Sequence, residues 1–139
     1  MSVEVHVVTP EREVWSGEAS MLIARGVDGE VGILGGHAPL LVQLAIGPMR
    51  ILRDDAEDLA AVIDGGFLHV GTDEGLTRAD VLAGNAELVS EIDVERARQQ
   101  ASELEEEVRR LQGAGADESE VAAARAALRR AQVRLDLAG

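Results

Sequence analysis

The feature that most constrains this chain is a change of period after Gly84. Up to that point glycine or proline interrupts the sequence at short intervals, but residues 93–112 contain neither. One kind of secondary structure cannot serve both halves. The first half is cut into strand-length pieces, and the second has room for long helices.

Residues 3–7 alternate apolar and polar with the period of a half-buried strand. Thr9-Pro10-Glu11 turns the chain, Val14-Trp15 opens a short strand that ends at Gly17, and residues 19–24 are a second apolar run. Asp28-Gly29 is a hairpin signal ahead of residues 31–34. Gly35-Gly36 breaks the chain again, and Pro39 restricts the residue before it. Residues 40–44 and 49–52 read as strands on either side of a Gly47-Pro48 turn, and 59–63 and 67–70 as strands on either side of Gly65-Gly66. Thr72-Asp-Glu-Gly75 forms a further hairpin leading to Leu76 and then Val81-Leu82. About nine or ten short strands separated by turns predict an all-β sandwich or barrel.

Beyond a boundary between residues 85 and 92, the apolar positions are Val94, Ala97, Ala101, Leu104, Val108 and Leu111, spaced as a heptad seam. The run Gly113-Ala-Gly-Ala-Asp117 interrupts it, and Asp117 with Glu120 resembles an acidic capping box. The seam resumes at Val121, Ala124, Leu128, Ala131 and Leu135. Two helices joined by a short glycine loop predict an antiparallel hairpin. Four of these eleven seam residues are alanine. Full burial of a Val or Leu contributes roughly 1.5–3 kcal/mol, whereas ordering the backbone costs roughly 1–2 kcal/mol per residue. A hairpin with so thin a seam needs a partner surface, and more than one such surface makes it a switch.

Composition narrows the chemistry. The net charge is −13, from 13 basic and 26 acidic residues, and every basic residue is arginine. Nucleic acid is excluded as the main partner, because phosphate contacts need a basic face. Without lysine there is no Walker lysine and no Schiff base. Without cysteine there is no thiolate nucleophile, disulfide or cysteine zinc site. His6, His37 and His69 are spaced too widely for a paired zinc motif. The acidic run at residues 54–58 has no internal glycine and reads as a solvated loop rather than a calcium site. No serine lies in a Gly-x-Ser-x-Gly context, and the glycines at 29–36 form no P-loop. No signal peptide or membrane span is recognisable, so a soluble intracellular chain without direct membrane insertion is expected.

Three stretches together resemble one family. They are Val8-Thr-Pro-Glu-Arg-Glu-Val-Trp-Ser-Gly17, Gly29-Glu-Val-Gly-Ile-Leu-Gly-Gly-His-Ala-Pro-Leu40 and Gly65-Gly-Phe-Leu-His-Val70. In this order and spacing the chain resembles the epsilon subunit of bacterial F-type ATP synthases from Val3 to about Leu135. One position departs: Gly35 stands where the family usually has proline. The resemblance implies an α+β chain, with an N-terminal flattened β-sandwich of about ten strands over residues 1–88 and a C-terminal antiparallel two-helix hairpin over 89–139. It also implies a non-catalytic rotor-stalk subunit, peripheral at the cytoplasmic face of the cell membrane. Its partners would be the gamma subunit and the c ring, and transiently the catalytic alpha and beta subunits. The sandwich would couple gamma to the c ring, and the hairpin would restrain ATP hydrolysis. Glu30 and His37 are the implied partner contacts. A stand-alone nucleotide-sensing module is the alternative reading.

Ile92-Asp-Val-Glu-Arg-Ala97 matches a motif with which some members of that family bind ATP. The family pattern adds an acid five positions earlier, here Glu87, and two arginines four apart, here Arg130 and Arg134. The implied site is therefore Glu87, Ile92, Asp93, Arg96, Ala97, Arg130 and Arg134, with ATP as a regulatory ligand and no cofactor required. Residues at i and i+4 share a helix face, and guanidinium groups bind phosphate oxygens bidentately. The residues also admit a structural reading: Asp93 as a helix cap and the two arginines as a solvated face.

Overall fold

The computed structural model describes residues 2–138. Seven strands come first: β1 (Val3–Val8), β2 (Glu13–Ala19), β3 (Met21–Gly26), β4 (Gly29–Leu34), β5 (Leu40–Leu52), β6 (Leu59–Asp73) and β7 (Leu76–Leu88). A single 3-10 turn, Val89–Glu91, leads to helices α1 (Val94–Gly113) and α2 (Glu118–Ala138). The strands lie in the order β2-β1-β7-β6-β5-β3-β4. All neighbours are antiparallel except β1 and β7, which run parallel.

The β-sandwich and the two C-terminal helices follow the expected class, but the strand count is seven rather than about ten. The difference lies at the glycines. Gly47-Pro48 and Gly65-Gly66 bend strands that keep the same register on both sides. Counting β5, β6 and β7 twice at their bends recovers ten segments (7 + 3). Pro48 is tolerated because β5 has no partner on β3 between Leu44 and Met49, so its missing N–H breaks no ladder bond on that side. The hairpin signalled by Asp28-Gly29 turns one residue earlier, through Val27 and Asp28 between paired Gly26 and Gly29. At the β6–β7 hairpin Glu74 and Gly75 both take positive φ, as a tight primed turn demands.

The core lies between the two inner faces of the folded sheet. Val3, Val5 and Val7 of β1 are fully buried, facing a cluster that includes Leu22, Ile33, Met49, Ile51, Leu68, Val70 and Val81. β6 departs from alternation: Ala61 and Ile63 belong to this cluster, yet Val62 between them is only 3% exposed. Something must cover the outer side of β6, and it is α2.

Helix α1 begins at Asp93, whose Oδ1 accepts the Arg96 N–H at 3.1 Å. It ends in a left-handed glycine: Ala116 N–H reaches the Leu111 carbonyl and Gly115 N–H the Gln112 carbonyl. Before α2, Asp117 accepts from the backbone and hydroxyl of Ser119. The Glu120 N–H instead donates to the Asp117 backbone carbonyl, so the expected reciprocal box with the Glu120 side chain is replaced by a cap through Ser119. All eleven predicted seam residues are buried or half-buried. One apolar position was not predicted: Val133, off the seam, is 2% exposed. It belongs to a second stripe on α2 with Ala126, Arg130 and Leu137, all at least half-buried. α2 thus has two packed sides, one against α1 and one against β5, β6 and the 3-10 turn, while α1 packs chiefly on α2.

Candidate functional site on the docked hairpin

On β6 and β7, Asp64 lies opposite Asn85, and Glu87 lies two residues further along β7, opposite Val62. Two-residue spacing puts Asp64, Val62 and Glu87 on one face of the sheet, the face under α2. On α2, Arg130 and Arg134 are one turn apart. The two sets meet. Arg130 Nη2 approaches Asp64 Oδ2 at 2.6 Å, and Arg134 Nε donates to Glu87 Oε1 at 2.8 Å. All four side chains are between 22% and 29% exposed. Arg130 Nε is buried with no acceptor.

The link between sandwich and hairpin is held separately. Arg12 Nη2, from the β1–β2 loop, donates to both carboxylate oxygens of Glu91, and Glu91 Oε1 also accepts the Leu88 N–H. The Leu88 N–H, followed by the Arg12 guanidinium, holds the Glu91 carboxyl below its usual range against the opposing effect of burial.

The seven residues of the implied nucleotide site fall into two groups. Glu87, Arg130 and Arg134 lie between α2 and the sheet. Ile92, Asp93, Arg96 and Ala97 lie at the start of α1. There Ile92 N–H bonds the Val89 carbonyl, Asp93 caps, and Ala97 is buried in the seam. Asp93 and Arg96 line a shallow groove along the outer side of α1 with Gln99 and Glu103, and neither Arg130 nor Arg134 lines it. Sequence reasoning missed Asp64. Its signal was a lone carboxylate ending the apolar run at residues 59–63, on the outward parity of β6.

Glu30 and His37 are not brought together. Glu30 is exposed beside the β3–β4 turn, whereas His37 follows the far end of β4, its ring bonded to the Ala38 carbonyl at 2.7 Å. Near His37, Gly36 N–H donates to Thr77 Oγ1 at 2.7 Å, next to the exposed Leu76. His6 and His69 flank Asp80 in one row across β1, β7 and β6. Among the described residues no group of three or more His, Asp or Glu side chains is arranged to hold a metal. Two residues along from His69 and Asp80, on the same face, Phe67 and Leu82 are paired and exposed, and Leu41, opposite His69 on β5, adds a third exposed apolar side chain. The site contains donors, acceptors and an apolar face, and no nucleophile paired with a base.

Known proteins agree with this architecture. Residues 2–89 match the model of the ATP synthase Delta/Epsilon chain β-sandwich domain. The ATP synthase epsilon chain of Halalkalibacterium halodurans is 42% identical over 138 residues, covering 99% of this chain and 98% of that one. That of Moorella thermoacetica is also 42% identical over 138 residues, covering 99% and 97%. That of Thermobifida fusca is 46% identical over 105 residues, 74% of each. Among solved structures, a chain of the Euglena gracilis mitochondrial ATP synthase, in a structure of OSCP, F1 and c ring, shares the fold. Its TM-score is 0.79 at 24% identity, covering 99% of this chain and 81% of that one. With near-complete coverage by relatives sharing two residues in five, the chain belongs to the ATP synthase epsilon-chain family, a non-catalytic stalk subunit of that complex.

Proposed function

We propose that the chain joins the gamma subunit to the c ring in a proton-translocating synthase and restrains ATP hydrolysis through its hairpin. The observation that carries the reading is the way the hairpin is held. α2 docks on β5 and β6 through one narrow stripe and two ion pairs, while α1 packs chiefly on α2. Such an element leaves its seat without disturbing the sandwich core. The released hairpin carries its own α1–α2 seam to a second surface, the alpha and beta subunits beside the stalk.

The exposed Leu41, Phe67 and Leu82 offer gamma a ready apolar face. The exposed Glu30 turn, with Val27 beside it, offers polar contacts to c-ring loops. No described helix is long and apolar enough to cross a membrane. On this reading the subunit sits peripherally at the cytoplasmic membrane face, held by its protein partners. Assembly of the complex with a chain truncated after Leu88 tests it. Proton-coupled synthesis is expected to persist, and ATP hydrolysis to rise several-fold. Unchanged hydrolysis would remove the regulatory half of the reading, and loss of coupling with intact assembly would remove the division of labour between the two parts.

ATP enters as a regulatory ligand of the hairpin, taken up by Glu87, Ile92, Asp93, Arg96, Ala97, Arg130 and Arg134 when the two groups, apart in the docked hairpin, close around it. The guanidinium groups of Arg130, whose Nε has no acceptor, and of Arg134 are donors of the right chemistry for phosphate oxygens. No residue here is placed to activate water, so the ligand is sensed and not hydrolysed. Calorimetric titration of the full chain with ATP is expected to give saturable binding that Arg130→Ala/Arg134→Ala abolishes. Absence of heat up to millimolar ATP would leave hairpin regulation to protein contacts alone.

A further inference from the structure

We propose that Asp64, acting with Glu87, is an electrostatic latch that holds the hairpin on the sandwich and sets how readily it leaves. The inference rests on the hairpin being a movable element and assigns Asp64 a positioning role, exerted through Arg130.

The geometry points to this residue for four reasons. First, among the described residues every ion pair between α1 or α2 and the sheet is one of the two pairs Arg130–Asp64 and Arg134–Glu87. The other pairs of the hairpin, Arg98–Glu95 and Arg110–Glu107, lie within α1. Second, the donors and acceptors are matched in spacing. Asp64 and Glu87 stand diagonally on adjacent strands, and Arg130 and Arg134 stand one helical turn apart. Diagonal strand neighbours and i,i+4 helix neighbours are separated by similar distances, about 5–8 Å. Both pairs therefore close in one docked register and open together when α2 slides or lifts. Third, the pairs flank the buried apolar contact. Val62 lies on the same face of the sheet as Asp64 and Glu87, and Val133 lies on α2 between the two arginines; both are buried. Fourth, charge favours the pairing. Residues 1–92 carry 5 Arg and 16 acids, a net of −11, while residues 93–139 carry 8 Arg and 10 acids, a net of −2.

The same contact is built to open. Arg130 keeps its Nε buried without an acceptor, so docking removes that donor from water and release restores its hydration. Desolvation offsets much of the Coulomb attraction in partly buried pairs. Such a latch is weak enough to compete with another protein surface and strong enough to bias the hairpin. It also shares Arg130 and Arg134 with any phosphate ligand.

Hydrogen exchange on the full chain, without nucleotide, tests the latch. In Asp64→Asn the amides of α2 are expected to exchange roughly three- to tenfold faster, with those of β1 unchanged. About 1 M salt, where screening reaches down to roughly 3 Å, is expected to bring the unsubstituted chain towards the Asp64→Asn rate and to move the variant little. The exchanged pair Asp64→Arg/Arg130→Asp is expected to restore slow exchange, which a purely steric role for Asp64 does not predict. Equal α2 exchange in Asp64→Asn and the unsubstituted chain overturns the latch. So does an exchanged pair that opens as readily as the single variant. If α2 amides exchange only together with those of β1, the hairpin has no separate opening, and the movable-hairpin reading falls with the latch. If α2 opens alone but ignores Asp64, only the latch falls.

Discussion

Gly66→Ala is expected to destabilise the sandwich by roughly 3–5 kcal/mol, the sum of a disfavoured backbone conformation and a forced overlap. Gly66 has φ of 100° at the bend of β6, and a Cβ there would collide with the Leu82 carbonyl and the Ala83 Cα on β7. Both obstacles are backbone atoms, so no side chain can rotate aside. Its neighbour is the control. Gly65 also has positive φ, 68°, but a Cβ there meets nothing within 4 Å. Gly65→Ala is therefore expected to cost only the backbone term, roughly 1–2 kcal/mol. Urea unfolding of both variants checks the difference. Equal losses at the two positions would mean that strand contact at the bend is not what requires glycine.

Val133→Asp is expected to undock the hairpin while leaving the sandwich folded. The side chain is 2% exposed and lies off the α1 seam, on a helix whose other packed neighbours are β5, β6 and the 3-10 turn. The substitution removes roughly 1.5–3 kcal/mol of apolar burial. Keeping the new carboxylate in that seat without a partner would cost several kcal/mol more. A helix held by two partly exposed ion pairs and one apolar stripe cannot meet that cost, so α2 leaves. Small-angle scattering should report a larger radius of gyration, and thermal melting followed at Trp15, beside Arg53 in the sandwich, should be nearly unchanged. A variant that stays compact would place Val133 outside the docking contact. Loss of the Trp15 transition would mean that hairpin and sandwich form one cooperative unit.

Much of this was legible in the residues, because it depends on neighbours close in the chain. The alternation of Val3, Val5 and Val7, the heptad seam, the Asp93 cap and the glycine end of α1 are local matters of period and backbone preference, and each appears where expected. The motifs at residues 8–17, 29–40 and 65–70 identified the family for the same reason: turn geometry fixes residue type at short range. Tertiary structure alone decided the rest. A glycine pair in a strand pattern reads as a turn, and only the partner strands made Gly65-Gly66 and Gly47-Pro48 bends within long strands. Asp64 and Arg130 are 66 residues apart (130 − 64), and no local period relates them. Val133 breaks the seam because α2 has a second neighbour, which heptad spacing cannot announce. Period and turn chemistry determined which elements form. Contacts between distant residues decided how the hairpin is seated and what holds it there, because burial and ion pairing are properties of the space between elements.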